Sequence, residues 1–140
     1  MSHSERVAKF MTLAGRKLPA KPTVPPSEVV RLCAKLVMEE FVELMAELGY
    51  KIPLESLPEP RFLVPHLPAV AKEACDLRYV VTYLMLSMGI DSDSCQVLVD
   101  TNNLDKFGPG HSFRGDGKLL PPPGFTKESL EGEIRRQTCR

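Results

Sequence analysis

Five carboxylates are the residues whose types and spacing could do chemistry. Glu39, Glu40 and Glu43 stand together in "MEEFVELMAE", and Glu73 and Asp76 form a second group in "KEACD". At about 3.6 residues per turn, positions three and four apart share a helical face. Glu40 therefore adjoins Glu43 with Glu39 beside them, and Glu73 adjoins Asp76. Glu40 also falls on the apolar line of Val29, Cys33, Leu36 and Leu44, and Glu73 on that of Val70, Leu77, Val80 and Leu84. An acid on a stripe that faces another helix is costly unless it is paired or holds a metal. Lys72 and Arg78 lie well round the helix from Glu73, so local cations are poorly placed to compensate. Clustered oxygen ligands suit a hard divalent cation, Mg²⁺ with Mn²⁺ as a substitute. The plainer reading is a set of solvated surface acids, which a single helical Glu usually is. Two clusters on the apolar sides of consecutive helices are less common, and they bring the cation level with that plainer reading. Glu47, near a helix end, reaches water and is left out.

A second constellation follows the helical part of the chain. Asn103 and Lys106 stand three apart in "TNNLDKFGPG", and Arg114 and Lys118 lie in "RGDGK". Such cations could fold toward a metal-bound polyphosphate, as a fork for Arg and a point charge for Lys. Taken alone, the pattern is better read as a helix C-terminus that favours Lys, followed by a solvated glycine loop. His111 reads as exposed and idle, and no nucleophilic Ser, Cys or His is evident.

The elements that must position these residues are helices. An amphipathic segment over about 4–14 ends at Gly15, and the proline-rich "KLPAKPTVPPSE" reads as an extended connector. Ser27 can cap a long helix that stops at Gly49. "YKIPLESLPEPRFLVPHLP" is a loop broken by prolines. A second long helix runs over about 68–88 to Gly89, and Asp91 or Ser92 can cap a third that reaches about 103. Residues 107–125 are crowded with Gly and Pro and read as an irregular loop. A last short helix over about 127–137 has Thr126 as its cap. No alternating pattern exceeds a few residues, so the class is all-α: one domain over 1–140, a bundle of four to five helices completed by homo-oligomerisation.

Eighteen basic and eighteen acidic residues give a formal net charge of zero. That argues against a protein whose main task is gripping nucleic acid by its phosphates. Tryptophan is absent, which disfavours an aromatic stacking platform. The four scattered cysteines show no zinc spacing; the three in helical patterns, Cys33, Cys75 and Cys95, read as small buried hydrophobes, and the setting as reducing and cytoplasmic. No signal peptide or membrane span is expected.

Taken together, "EEFVE", "EACD", "NNLDK" and "DGK" resemble the MazG-like all-α nucleoside triphosphate pyrophosphohydrolases, a superfamily that also holds phosphoribosyl-ATP pyrophosphohydrolase and the dimeric dUTPases. "VAKFMTLAG" and "GFTKESL" are similar to its small single-domain members, so the likeness spans most of the chain. The resemblance implies hydrolysis of NTP or dNTP between the α- and β-phosphates to NMP and pyrophosphate, in house-cleaning of the nucleotide pool. It implies metal ligation by Glu39, Glu40, Glu43, Glu73 and Asp76, with Glu39, Glu40 and Glu73 closest to the catalytic step. Asn103, Lys106 and Lys118 would contact the nucleotide or its phosphates, and Phe10 would lie near the base. Pro121-Pro122-Pro123 replaces a lysine found near the first of these positions in relatives, and the loop over 50–67 is longer and richer in proline than expected.

Two other readings compete. One is a non-catalytic helical dimerisation module with a residual cation site, and the other is the same chemistry on phosphoribosyl-ATP. A di-iron bundle would need Glu-x-x-His pairs, and the residues three beyond Glu40 and Glu73 are Glu43 and Asp76. The apolar content of two long helices in so small a chain points to a homodimer or paired dimers.

Overall fold

The computed structural model describes residues 1–61, 64–127 and 129–139. It is mainly helical: α1 (His3–Leu13), α2 (Ser27–Glu47), α3 (Leu67–Ser87), α4 (Ser92–Asp105) and α5 (Glu131–Thr138), with β1 (Ser112–Phe113) and β2 (Leu119–Leu120) between the last two helices. The all-α class expected from the sequence is the class observed. The chain divides into two compact units, one of Met1–Lys21 with Pro68–Arg140 and one of Pro22–Leu67. Among the described residues, no helix is long and apolar enough to cross a membrane.

Local chemistry sets the helix ends. Ser2 caps α1 in a reciprocal box, its hydroxyl accepting from the Glu5 amide at 3.2 Å while the Glu5 carboxylate accepts from the Ser2 amide at 2.6 Å. Asp91 caps α4, accepting from the amides of Asp93 and Ser94 at 3.1 and 3.2 Å. At the other end of α2, the Tyr50 amide reaches back to the Met45 carbonyl and Gly49 takes a φ of 89°. The same closure ends α1 at Gly15 and α3 at Gly89.

Three expectations move. Ser27 is the first residue of α2 rather than its cap; extended Pro26 stands at the cap position without a side-chain hydrogen bond. α5 begins at Glu131 instead of about 127, because the Ser129 hydroxyl accepts from the Glu131 amide at 3.2 Å and Thr126 lies too far back to cap it. Within the stretch expected to be irregular, β1 and β2 pair antiparallel, Ser112 with Leu120 and Phe113 with Leu119. The turn is closed by the Arg114 amide donating to the Lys118 carbonyl at 2.8 Å and by the Arg114 side chain forking onto Asp116 at 2.8 and 2.6 Å. Arg16, just beyond α1, donates to the Gly117 carbonyl at 3.1 Å and ties this turn to the helix.

In the larger unit α1 packs on α4, and polar groups hold the pair. Asp100, 5% exposed, accepts from Arg6 Nε and from Gln96 Nε2, each at 2.8 Å, and lies 2.8 Å from His3 Nδ1. α5 docks on the start of α4 through Gln137, whose amide oxygen accepts from the Asp91 amide at 2.8 Å. Cys95 and Leu119 are the buried apolar residues among those described. Cys33 and Cys75 are exposed, contrary to their reading as buried hydrophobes, and so is Cys139. Val70, Leu77, Tyr79, Val80, Tyr83 and Leu86 of α3 are likewise exposed, as are Val37 and Phe41 of α2.

Burial by itself would raise the Asp100 carboxyl pKa. Hydrogen bonds from His3, Arg6 and Gln96 outweigh it and hold the group below its ordinary 3.8. The folded state therefore binds fewer protons than the unfolded one, so this stabilisation is present above the ordinary value and is lost as the pH falls through the folded one. Asp100→Ala is expected to lower stability by about 2–3 kcal/mol in denaturant unfolding, since hydrogen bonds to a charged group are lost together. Arg6→Ala should cost less in that background than in the native chain. In acid, amide-exchange protection of α1 should fall in the native chain while staying low and flat in Asp100→Asn.

Candidate active site

On α3, the Lys72 ammonium lies 3.0 Å from Glu73 Oε1 and 2.7 Å from Asp76 Oδ2. Two carboxylates from adjacent turns thus converge on one positive charge. The expectation that Lys72 sits too far round the helix is corrected: its flexible stem brings the charge back over the acids. Their hydrogen bonds raise the Lys72 pKa, Asp76 contributing more than Glu73. All three side chains are well exposed, so the pairing adds little to stability. It does show where a cation is accepted.

On α2, Glu39 is half-buried and Glu40 and Glu43 are exposed. The cost of burying acids on an apolar stripe, which drew attention to Glu40 and Glu73, is not incurred in the single chain: the whole of 68–80 on α3 is exposed. Within either unit, the described residues form no cluster of three or more His, Cys, Asp or Glu side chains arranged to hold a metal. The donor set nevertheless fits a hard cation. It is all carboxylate oxygen, and Glu73 and Asp76 already share one positive charge at hydrogen-bond distance.

The residues expected on the substrate side lie in the larger unit. Phe10 and Asn103 line one cavity of about 230 Å³ between α1 and α4, together with Arg6, Val7 and Asp100. Phe10 stacks edge-on against Phe107 with ring centroids 5.0 Å apart. The row continues through His111 at 5.7 Å to Phe113 at 5.9 Å. His111 is therefore not idle: it joins the hairpin to the rings beside the cavity, and its Nδ1 lies 3.0 Å from the Gly108 carbonyl. Lys106 is the C-cap of α4 and is half-buried. Lys118 stands at the end of the hairpin turn, its amide donating to Asp116 Oδ1 at 3.3 Å. Arg114, expected to be a phosphate fork, spends its guanidinium on Asp116.

Arg6, His3, Gln96 and Asp100 escaped the sequence analysis. Their spacing carried a signal, since His3, Arg6 and Phe10 share one face of α1 and Gln96, Asp100 and Asn103 one face of α4. A larger cavity of about 410 Å³ lies in the smaller unit, between the first turns of α2 and the proline-rich loop. None of the candidate residues lines it.

The phosphoribosyl-ATP pyrophosphohydrolase family model matches residues 7–103, more than half of the chain and all of both acidic groups. Among solved structures, the chain is similar to a candidate NTP pyrophosphohydrolase from Exiguobacterium sp. 255-15, at 18% identity and a TM-score of 0.66, over 100% of this chain and 95% of that one. At that identity the likeness establishes the fold. No protein of curated function matches. With the matched segment running from α1 through both carboxylate helices to Asn103, the chain belongs to the phosphoribosyl-ATP pyrophosphohydrolase family.

Proposed function

We propose that the chain is a Mg²⁺-dependent nucleoside triphosphate pyrophosphohydrolase that cleaves NTP or dNTP between the α- and β-phosphates, in cytoplasmic house-cleaning of the nucleotide pool. The observation that carries this reading is the convergence of Glu73 and Asp76 on a single positive charge in a chain of this family. Glu39, Glu40, Glu43, Glu73 and Asp76 would hold the cation, with Mn²⁺ able to replace Mg²⁺. The bound cation supplies charge neutralisation for the polyphosphate and for the leaving pyrophosphate.

The chain's own groups have separate tasks. Acids alone would repel a polyanion, so they act through the cation they hold. Glu39 and Glu40 lie closest to the catalytic step as ligands, and Glu73 serves either as a ligand or to orient the attacking water. Lys106 and Lys118 neutralise phosphate oxygens, and Phe10 and Asn103 bind the nucleoside. Water adds across the anhydride, and NMP and pyrophosphate leave. The exposed apolar side chains of α2 and α3 fit burial against a second subunit, as a homodimer or a dimer of dimers. The family's own description favours phosphoribosyl-ATP as a second candidate substrate served by the same chemistry.

A panel of NTPs, dNTPs and phosphoribosyl-ATP with Mg²⁺ or Mn²⁺ should release pyrophosphate and not phosphate. Glu40→Gln and Glu73→Gln should each reduce kcat by about 100-fold or more. Phosphate as the sole product would overturn the cleavage site, and no turnover of any substrate would favour a non-catalytic module. Because Lys72 competes for Glu73 and Asp76, Lys72→Met should lower the Mg²⁺ concentration needed for half-maximal rate; a higher requirement would count against those two acids as ligands. Light scattering should show at least a dimer.

A further inference from the structure

We propose that α5 is a detachable latch on the start of α4: Gln137 holds it shut, and when it lifts it uncovers the Cys95 thiol while the rest of the larger unit stays folded. The proposal goes beyond the reaction. It concerns a helix outside the matched residues 7–103 and uses none of the candidate metal or substrate residues.

The docking is polar. None of the eight residues of α5 is buried, and Glu133, Ile134 and Gln137, which share one face, are the half-buried ones. Gln137 makes the crossing to α4 with both ends of its amide. Its Oε1 accepts from the Asp91 amide at 2.8 Å, and its Nε2 donates to the Asp91 carbonyl at 3.4 Å. The side chain thus pairs with the backbone of a single residue. The same Nε2 lies 3.8 Å from Cys95 Sγ, and Cys95 is only 2% exposed. Glu133, one turn earlier, accepts from Nε2 at 2.8 Å and sets the amide in place. Arg136 donates to Glu133 at 2.8 Å, so the charge that steadies Gln137 is met within α5 itself.

That arrangement makes the helix separable. Its ion pairs, Arg135 with Glu131 and Arg136 with Glu133, run inside α5 and leave with it. Hydrogen bonds to α4 can be exchanged for bonds to water at little net cost, whereas opening a packed interior has no such compensation. The contact through Gln137 therefore opens before α1 and α4 part. Eight residues do not sustain a helix alone, so α5 unravels once undocked. The start of α4 survives the event, because Asp91 caps it through its own side chain, accepting from the amides of Asp93 and Ser94.

Thiol accessibility reads the opening directly. Native protein is treated with N-ethylmaleimide, and each cysteine is followed by peptide-resolved mass spectrometry. Cys139, exposed at the end of α5, is the internal reference and should react fast, with Cys95 much slower. The Cys95 rate should rise with urea far less steeply than global unfolding does, and amide exchange over 134–138 should report the same opening. Gln137→Ala should speed Cys95 alkylation by about tenfold or more and leave Cys139 unchanged. Protein alkylated at Cys95 should in turn lose amide protection in α5, since the adduct fills the place of Gln137. A native Cys95 rate that follows global unfolding would overturn the proposal. So would a native Cys95 as reactive as Cys139, or a rate unchanged in Gln137→Ala. If Gln137→Ala fails to fold, the urea dependence in the native protein decides by itself.

Discussion

A carboxylate that leaves water must be met by donors, and in this molecule that constraint falls on Asp100. Among the described residues it is the polar one most withdrawn from solvent, and three side chains from two helices converge on it. The convergence joins α1 to α4 in a unit with few buried apolar side chains. Charge-assisted hydrogen bonds thus carry a share of the packing that a larger core would otherwise supply. The same contacts fix the Arg6 guanidinium beside the cavity that Phe10 and Asn103 also line. Fold and candidate substrate site have a common origin here.

The acids of α2 and α3 obey a different rule. They are exposed or half-buried, and what marks them is their close spacing along each helix. Glu73 and Asp76 lower their mutual repulsion by sharing Lys72, as like charges on adjacent turns otherwise repel. A divalent cation would relieve more of that repulsion than one ammonium does. The exposed apolar residues on the same helices make the related point that the single chain leaves surface uncovered.

Much of this was legible in the sequence because it is set locally. Gly15, Gly49 and Gly89 end three helices at the residues where the apolar pattern stops, and Asp91 caps α4 as its position suggests. The acidic groups were visible from spacing alone. What stayed hidden depends on partners distant in sequence or on side-chain reach. His3 and Arg6 meet Asp100 across more than ninety residues, and neither helix announces the meeting. The hairpin at 112–120 has strands of two residues, too short for alternation to register, and is stabilised by a fork from Arg114 that resembled a phosphate ligand. Lys72 was misjudged because the angle around a helix describes Cβ positions, whereas a lysine ammonium ranges over a full turn. The start of α5 turned on whether Thr126 or Ser129 stood nearer the first unpaired amides.

We propose above all that the acids of α2 and those of α3 both serve a bound divalent cation. The most direct measurement is an electron paramagnetic resonance titration of Mn²⁺ into the native protein, Glu40→Gln and Asp76→Asn, without nucleotide. The account predicts saturable Mn²⁺ binding in the native protein that weakens by about tenfold or more in both variants. Native affinity retained in either variant would contradict it.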